Sequence, residues 1–260
     1  MGHKRLGVLR KTKRWLSIVD ALGKFALGTA DISSIAQNTL RNVQGRFGNL
    51  SSDPSIHSAF EFLIHVSFAF QKNDPIKYLT ENKILDRGEL SLLKLARGAL
   101  NYKNQEVTSH EYQTFARQAA IDAINNWYKN NLERGRSLFS DDIDSAAIFS
   151  KASNGSGFCE LSRIYFSKLT ERYLKYFLER EAAAKITNIK ERDRFSTEIE
   201  NHVNEISQHA FETAKIAQSF SAGWYNKNVK DSFPEESQIN NFLSYALGKM
   251  KSELLREELK

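Results

Sequence analysis

Apolar residues between Ser153 and Ile186 recur at intervals of three and four, which is the spacing of one face of an α-helix. Further apolar residues widen this face around most of the cylinder. A helix that is apolar on most sides is packed on most sides. We therefore expect a central helix at about residues 157–186. The apolar face consists of Phe158, Leu161, Tyr165, Leu169, Tyr173 and Tyr176.

Similar periodicity before and after this stretch predicts further helices, and no segment alternates β-branched and polar residues as a strand would. The three prolines stand at predicted helix starts. Pro54 and Pro75 each follow an Asp, the order of an N-cap and the first helical residue. Pro234 lies in a capping box that begins at Ser232. The sequence predicts an all-α fold, an irregular multi-helix bundle around the central helix.

The expected organisation is a basic N-terminal arm at residues 1–14 and a single all-α domain at residues 15–260. A subdivision near residue 104 is the alternative, because residues 101–109 form the most polar long connection. A long helix is also expected from about Lys190 to Phe220, with an apolar seam that includes Ile199 and Val203.

The positive charge of the chain is concentrated at its start. The chain has 37 Lys and Arg against 31 Asp and Glu, which gives a net charge of +6. Six of the basic residues precede Trp15, whereas the first acidic residue is Asp20, so the remainder of the chain is balanced. The basic residues of the arm are Lys4, Arg5, Arg10, Lys11, Lys13 and Arg14.

A flexible basic segment neutralises phosphates and releases their counterions. We therefore predict that the arm contacts the phosphate backbone of DNA or RNA, with Trp15 stacking on a base. The alternative is that the arm docks onto an acidic partner protein.

A second group of candidate residues could ligate a metal. His57, Glu61 and His65 are four residues apart on one predicted helix, and His202, Glu205 and His209 follow one side of another. Such side chains on facing helices can build a metal site in a bundle. The Glu-x-x-His motif of di-iron bundles is missing, however, and the second stripe borders an apolar seam, so the main interpretation includes no metal or other cofactor.

The segment Ser153-Asn154-Gly155-Ser156-Gly157 could cradle a phosphate at the start of the central helix. It lacks the Lys-Ser/Thr ending of a P-loop and follows no strand, so an ordinary connection capped by Ser156 is the favoured interpretation. Cys159 is the only cysteine, which leaves no disulfide framework and no Cys-rich zinc site. We expect it to be a small buried residue.

No apolar run approaches the roughly 20 residues that span a bilayer. The basic start is not followed by the apolar segment of a secretory signal. We therefore expect a cytoplasmic protein without a membrane partner.

The opening Gly2-His3-Lys4-Arg5-Leu6-Gly7, followed by Thr12 and Trp15, resembles the start of uncharacterised bacterial proteins from mobile or phage-defence gene neighbourhoods. The resemblance covers less than a tenth of the chain and transfers no functional residue. The resulting expectation is a non-catalytic α-helical binding or assembly subunit of a bacterial multi-protein complex that acts on or near nucleic acid, with antiphage defence as its implied setting. A metal-dependent helical-bundle enzyme that uses the His/Glu stripes is the alternative.

Overall fold

The computed structural model describes residues 9, 11–86, 88–103, 109–135, 144–211, 219–230 and 232–256. In these ranges the regular structure is entirely helical, which confirms the predicted all-α class. Two short 3-10 turns occur at Asn49–Ser52 and Lys151–Ser153. The helices are α1 (Lys13–Ala26), α2 (Ile32–Gly48), α3 (Pro54–Ala69), α4 (Pro75–Glu81), α5 (Leu92–Asn101), α6 (His110–Gly135), α7 (Ser145–Ser150), α8 (Gly155–Lys185), α9 (Ile189–Phe211), α10 (Phe220–Asn228) and α11 (Glu236–Arg256).

Aspartates cap the starts of α2, α3 and α4. The side chains of Asp31, Asp53 and Asp74 accept hydrogen bonds from backbone N–H groups at 2.9–3.0 Å. Each bond satisfies a donor that the helix leaves without an internal partner. The Asp-Pro signals at α3 and α4 therefore mark helix starts as predicted. The predicted start of the last helix is too early, because α11 begins at Glu236 rather than Pro234.

Helix α8 occupies the centre of the bundle, as its all-round apolar pattern predicts. Tyr165, Leu169 and Phe177 are buried along its length. Helices α6, α9 and α10 pack directly against it, and α1 contacts it as well. Its N-cap is Asn154 rather than Ser156, with the amide oxygen of Asn154 accepting from the Gly157 N–H at 3.0 Å.

A cluster of aromatic rings around Phe60 connects α3 to the central helix. The Phe60 ring stacks on Phe242 of α11 with 5.1 Å between centroids, and it contacts three rings of α8 at 5.3–6.0 Å. This cluster belongs to one hydrophobic core that takes side chains from all of α1 to α11. The α8 rings are those of Phe158, Tyr165 and Phe166.

The predicted helix from Lys190 to Phe220 is not continuous. The structure describes helix α9 as far as Phe211. Before Phe220 the backbone of Ser219 is extended, and Ser219 begins a separate helix, α10, which its Oγ caps by accepting from the Ala222 N–H at 3.1 Å. Residues 212–218 lie outside the described part of the chain, as does the proposed subdivision point at residue 104. The assignment of residues 15–260 to one domain stays a prediction. None of the helices in the described ranges is long and apolar enough to cross a membrane.

Candidate functional site

The described part of the basic segment leads directly into α1. The Thr12 hydroxyl caps this helix by accepting from the Trp15 N–H at 3.1 Å, so Lys13 and Arg14 belong to its first turn rather than to an extended arm. Lys11, Lys13 and Arg14 are exposed. The other three predicted contact residues, Lys4, Arg5 and Arg10, lie outside the described residues.

Trp15 has a different role from the predicted one. Its side chain is only 3% exposed and belongs to the hydrophobic core. A base could stack on this ring only if Trp15 left the core, so we assign Trp15 to anchoring α1 rather than to binding. Leu9, which is also buried, anchors the chain on the other side of Lys11.

On α3, the metal interpretation requires an ion bound to Glu61, but the ammonium group of Lys103 binds this carboxylate instead. Lys103 Nζ donates to both carboxylate oxygens of the buried Glu61, at 2.7 and 2.6 Å. His57 Nδ1 lies 3.9 Å from the same carboxylate. Burial lowers the pKa of His57, although the charge of Glu61 opposes this effect. The cation that Glu61 binds here is therefore supplied by the chain itself.

His65, the third candidate ligand on α3, faces aromatic groups instead of Glu61. Its Nδ1 hydrogen-bonds the Tyr78 hydroxyl at 2.7 Å, and its ring stacks on Phe233 with 3.9 Å between centroids. Burial, assisted by the charge of Lys103, lowers the pKa of His65 to about 3. His65 is therefore a neutral core histidine at pH 7.

The three residues of the second proposed stripe, on α9, do not form a common site either. His202 is buried in α9, whereas Glu205 and His209 are exposed. Throughout the described ranges, no group of three His, Cys, Asp or Glu side chains is arranged to hold a metal ion. The structure thus gives the metal interpretation no support from the residues on which it was based.

A cavity of about 500 Å³ adjoins the Glu61–Lys103 pair, between the start of α3 and the start of α11. Its wall is mostly hydroxyl, amide and carboxylate, with an apolar part formed by Phe233, Pro234 and Ile239. The Ser58 hydroxyl in this wall donates to the Pro54 carbonyl at 2.8 Å rather than to a base. The cavity therefore presents polar binding groups, and Ser58 is not paired with a base.

The glycine-rich start of α8 is closely packed against neighbouring segments of the chain at Gly155 and Gly157. A Cβ at Gly157 would overlap the backbone oxygen of Lys151, and one at Gly155 would meet the Asn226 side chain at 2.8 Å. These glycines thus allow close contact between segments of the chain. Cys159 is fully buried, as predicted, and the Ser219 hydroxyl donates to its sulfur at 2.9 Å.

A larger polar cleft, of about 660 Å³, lies where α6 and α9 pack along α8. Side-chain amides stand on both walls: Asn126 and Asn130 on α6, and Asn201, Asn204 and Gln208 on α9. Sequence reasoning missed this cleft. The available signal was the recurrence of amides at helical spacing in two separate helices, but their juxtaposition depends on how both helices pack on α8.

Comparison of the chain with protein-family models, with curated proteins and with solved structures finds no match in any of the three.

Proposed function

We propose that this chain is a non-catalytic α-helical binding and assembly subunit whose N-terminal basic segment contacts the phosphate backbone of DNA or RNA. The observation that carries the proposal is the cluster of Lys11, Lys13 and Arg14, which are exposed at the start of α1 and lie beside two buried anchors, Leu9 and Trp15.

The position of these cations on α1 favours an anionic ligand. The N-terminal end of a helix carries partial positive charge, so basic side chains in the first turn are unfavourable there. The first turn of α1 has no acidic residue to compensate Lys13 and Arg14. A bound phosphate would interact favourably with the helix end and with both side chains.

The wider setting of the proposal is a bacterial multi-protein complex in the cytoplasm that acts on or near nucleic acid. Antiphage defence is part of the proposal only through the resemblance of the opening residues. An acidic surface on another protein subunit is the competing target of the basic segment, since carboxylates attract the same cations.

The test compares full-length protein with a variant in which Lys11, Lys13 and Arg14 are changed to Ala. The matched control changes three exposed lysines elsewhere, Lys129, Lys227 and Lys230, and so has the same net charge. Each protein is titrated with duplex and single-stranded nucleic acid at several salt concentrations.

Each phosphate contact contributes roughly −0.9 to the slope of log affinity against log salt for duplex DNA, and about −0.7 for single strands. We expect the basic-segment variant to bind more weakly and with a shallower slope than the control. Sequence preference should be slight, because phosphates carry no sequence information. Equal affinity of the two variants, or no binding by wild type, would reject the nucleic-acid role and leave the protein partner.

A further inference from the structure

We propose that the cleft between α6, α8 and α9 binds an extended peptide segment of a partner protein, through side-chain amides that pair with the peptide backbone. The proposal rests on the assembly role proposed above and specifies how a partner protein would bind. It uses no residue of the basic segment.

An ionic stripe on the central helix α8 reaches the floor of the cleft at Lys168 and continues beyond the lining to Glu171 and Lys175. Lys168 donates to Glu171 at 3.0 Å and also pairs with Glu200 of α9. Lys175 donates to Glu171 at 2.6 Å. Well-packed apolar residues often stabilise a protein at least as much as buried ion pairs do. The stability of the fold alone therefore does not explain an ionic stripe in the centre of a bundle. The polar cleft above Lys168 offers another explanation, because a binding cleft requires polar groups in its floor.

The charges of the floor are compensated within the protein. Burial lowers the pKa of Lys168, but its hydrogen bonds to Glu200 and Glu171 outweigh burial and raise the pKa above its ordinary value. The bond to Lys168 lowers the pKa of Glu200. Arg163, also in the floor, donates to the Asn204 oxygen at 3.0 Å and to Ser207 Oγ at 3.3 Å. The floor is therefore a fixed set of ion pairs and hydrogen bonds.

The amides on the walls are available for an external partner. Within the described residues, Asn126, Asn130, Asn201 and Gln208 make no side-chain hydrogen bond to the rest of the protein. A side-chain amide has one acceptor and two donors, so it can accept from a backbone N–H and donate to a backbone C=O at the same time. Two walls of such groups match the polar edges of an extended chain.

The spacing of the amides along each helix also fits an extended peptide. Asn126 and Asn130 are four residues apart, which corresponds to about 6 Å along a helix axis. An extended chain presents equivalent backbone groups on the same side every two residues, or about 6.6 Å. Successive amides on one wall can therefore contact successive equivalent peptide groups. From Asn201 to Gln208 the wall extends for about 10 Å, enough for roughly three residues of extended chain.

The charge of the lining favours peptide over nucleic acid. Two basic residues, Arg163 and Lys168, stand against three acidic ones in the lining, and Lys168 is already paired with two carboxylates. A phosphate backbone would meet excess negative charge. The expected occupant is an extended segment with neutral or basic side chains. The acidic lining residues are Glu133, Glu160 and Glu200.

The test begins with selection of short random linear peptides, displayed on phage, against the intact chain. An enriched peptide is then synthesised and titrated by fluorescence anisotropy against wild type, Asn130→Ala and Asn201→Ala. Asn125→Ala is the matched control, because Asn125 is exposed on the same helix but outside the cleft lining. Alanine is favourable in a helix, so these substitutions should preserve the fold.

Each cleft variant should weaken binding by roughly fivefold, the effect of one lost hydrogen-bonding group, whereas the control should bind as wild type does. Methylation of the peptide's backbone nitrogens should also weaken binding, because it removes the N–H donors that the amides are proposed to bind. A peptide that is bound only through its side chains would keep its affinity. Failure to enrich any peptide, or equal affinity of the cleft variants and the control, would overturn the proposal.

The same variants are titrated with a single-stranded oligonucleotide. If that binding is lost in the cleft variants, the cleft belongs to nucleic acid and the peptide proposal is rejected. If only the Lys11, Lys13 and Arg14 variant loses oligonucleotide binding, the basic segment is the nucleic-acid site and the peptide proposal for the cleft is unaffected. The two proposals can therefore fail separately.

Discussion

Lys103 Nζ lies 2.7 and 2.6 Å from the two carboxylate oxygens of Glu61, and Lys103 adopts a φ of 40°. A lysine in this left-handed region is strained. The ion pair joins the end of α5 to the middle of α3, across 42 residues of sequence. The contact therefore holds a strained backbone residue against a buried carboxylate.

Removing the ammonium should destabilise the protein more than removing the pair. Lys103→Met leaves the Glu61 carboxylate buried without its cation, and we expect a loss of about 2 kcal/mol. This is below the cost for a fully buried pair because the Lys103 side chain is 40% exposed. The double variant Glu61→Gln/Lys103→Met should recover much of that stability. Urea unfolding of both variants tests the prediction, and a single variant as stable as wild type would contradict it.

The stability of the protein should fall in acid because of His65. Burial lowers the pKa of this residue to about 3 from its ordinary value of 6.5. Between these values the unfolded chain binds a proton that the folded protein does not, so the free energy of unfolding decreases as the pH falls below 6.5. Between about pH 7 and about pH 5, this one group should reduce the free energy of unfolding by about 2 kcal/mol.

The His65→Gln variant should lose less stability than wild type over the same pH interval, because it lacks this titration. His209→Gln is the control, since His209 is exposed on α9. Denaturant unfolding at both pH values gives the comparison. An equal acid loss in wild type and His65→Gln would show that His65 does not titrate as described.

Two glycine substitutions should have opposite effects. Gly157→Ala would push a methyl group into the backbone oxygen of Lys151 and should cost about 2 kcal/mol or more. Gly45, within α2, has no atom near the position of an added Cβ. Gly45→Ala should therefore stabilise the protein by about 0.5–1 kcal/mol through helix propensity. Thermal unfolding tests both variants, and a Gly157→Ala variant as stable as wild type would refute the close packing at the start of α8.

Truncation of Phe60 should be among the costly core substitutions. Its ring is fully buried among aromatic rings of α8 and α11. Phe60→Ala should reduce the free energy of unfolding by about 3–5 kcal/mol. Leu93→Ala, at a position that is 70% exposed, should change it by less than about 0.5 kcal/mol. A small effect at Phe60 would mean that the aromatic cluster is loosely packed.

Local sequence signals predicted local structure in this protein. The carboxylates of Asp53 and Asp74 bond N–H groups two and three residues away, so their role can be read directly from the sequence. The central position of α8 could also be predicted, because its apolar residues surround the helix. By contrast, the burial of Trp15 depends on packing between helices, and its position beside basic residues suggested exposure.

The candidate sites needed distant partners that spacing alone cannot reveal. Helical periodicity correctly aligned His57 and Glu61, but the cation that binds Glu61 comes from Lys103, beyond two intervening helices. The amides of the cleft likewise come from α6 and α9, and the intervening α8 brings them to one place.

The burial of Cys159 gives the chain a natural reporter of its own opening. It is the only cysteine, and its side chain has no exposed surface. A thiol reagent in solution can reach it only after the contacts around the start of α8 separate. When reclosing is faster than modification, the labelling rate measures the free energy of that opening rather than the reactivity of the thiol. Labelling without denaturant would therefore reveal whether the start of the central helix opens alone or only when the whole protein unfolds.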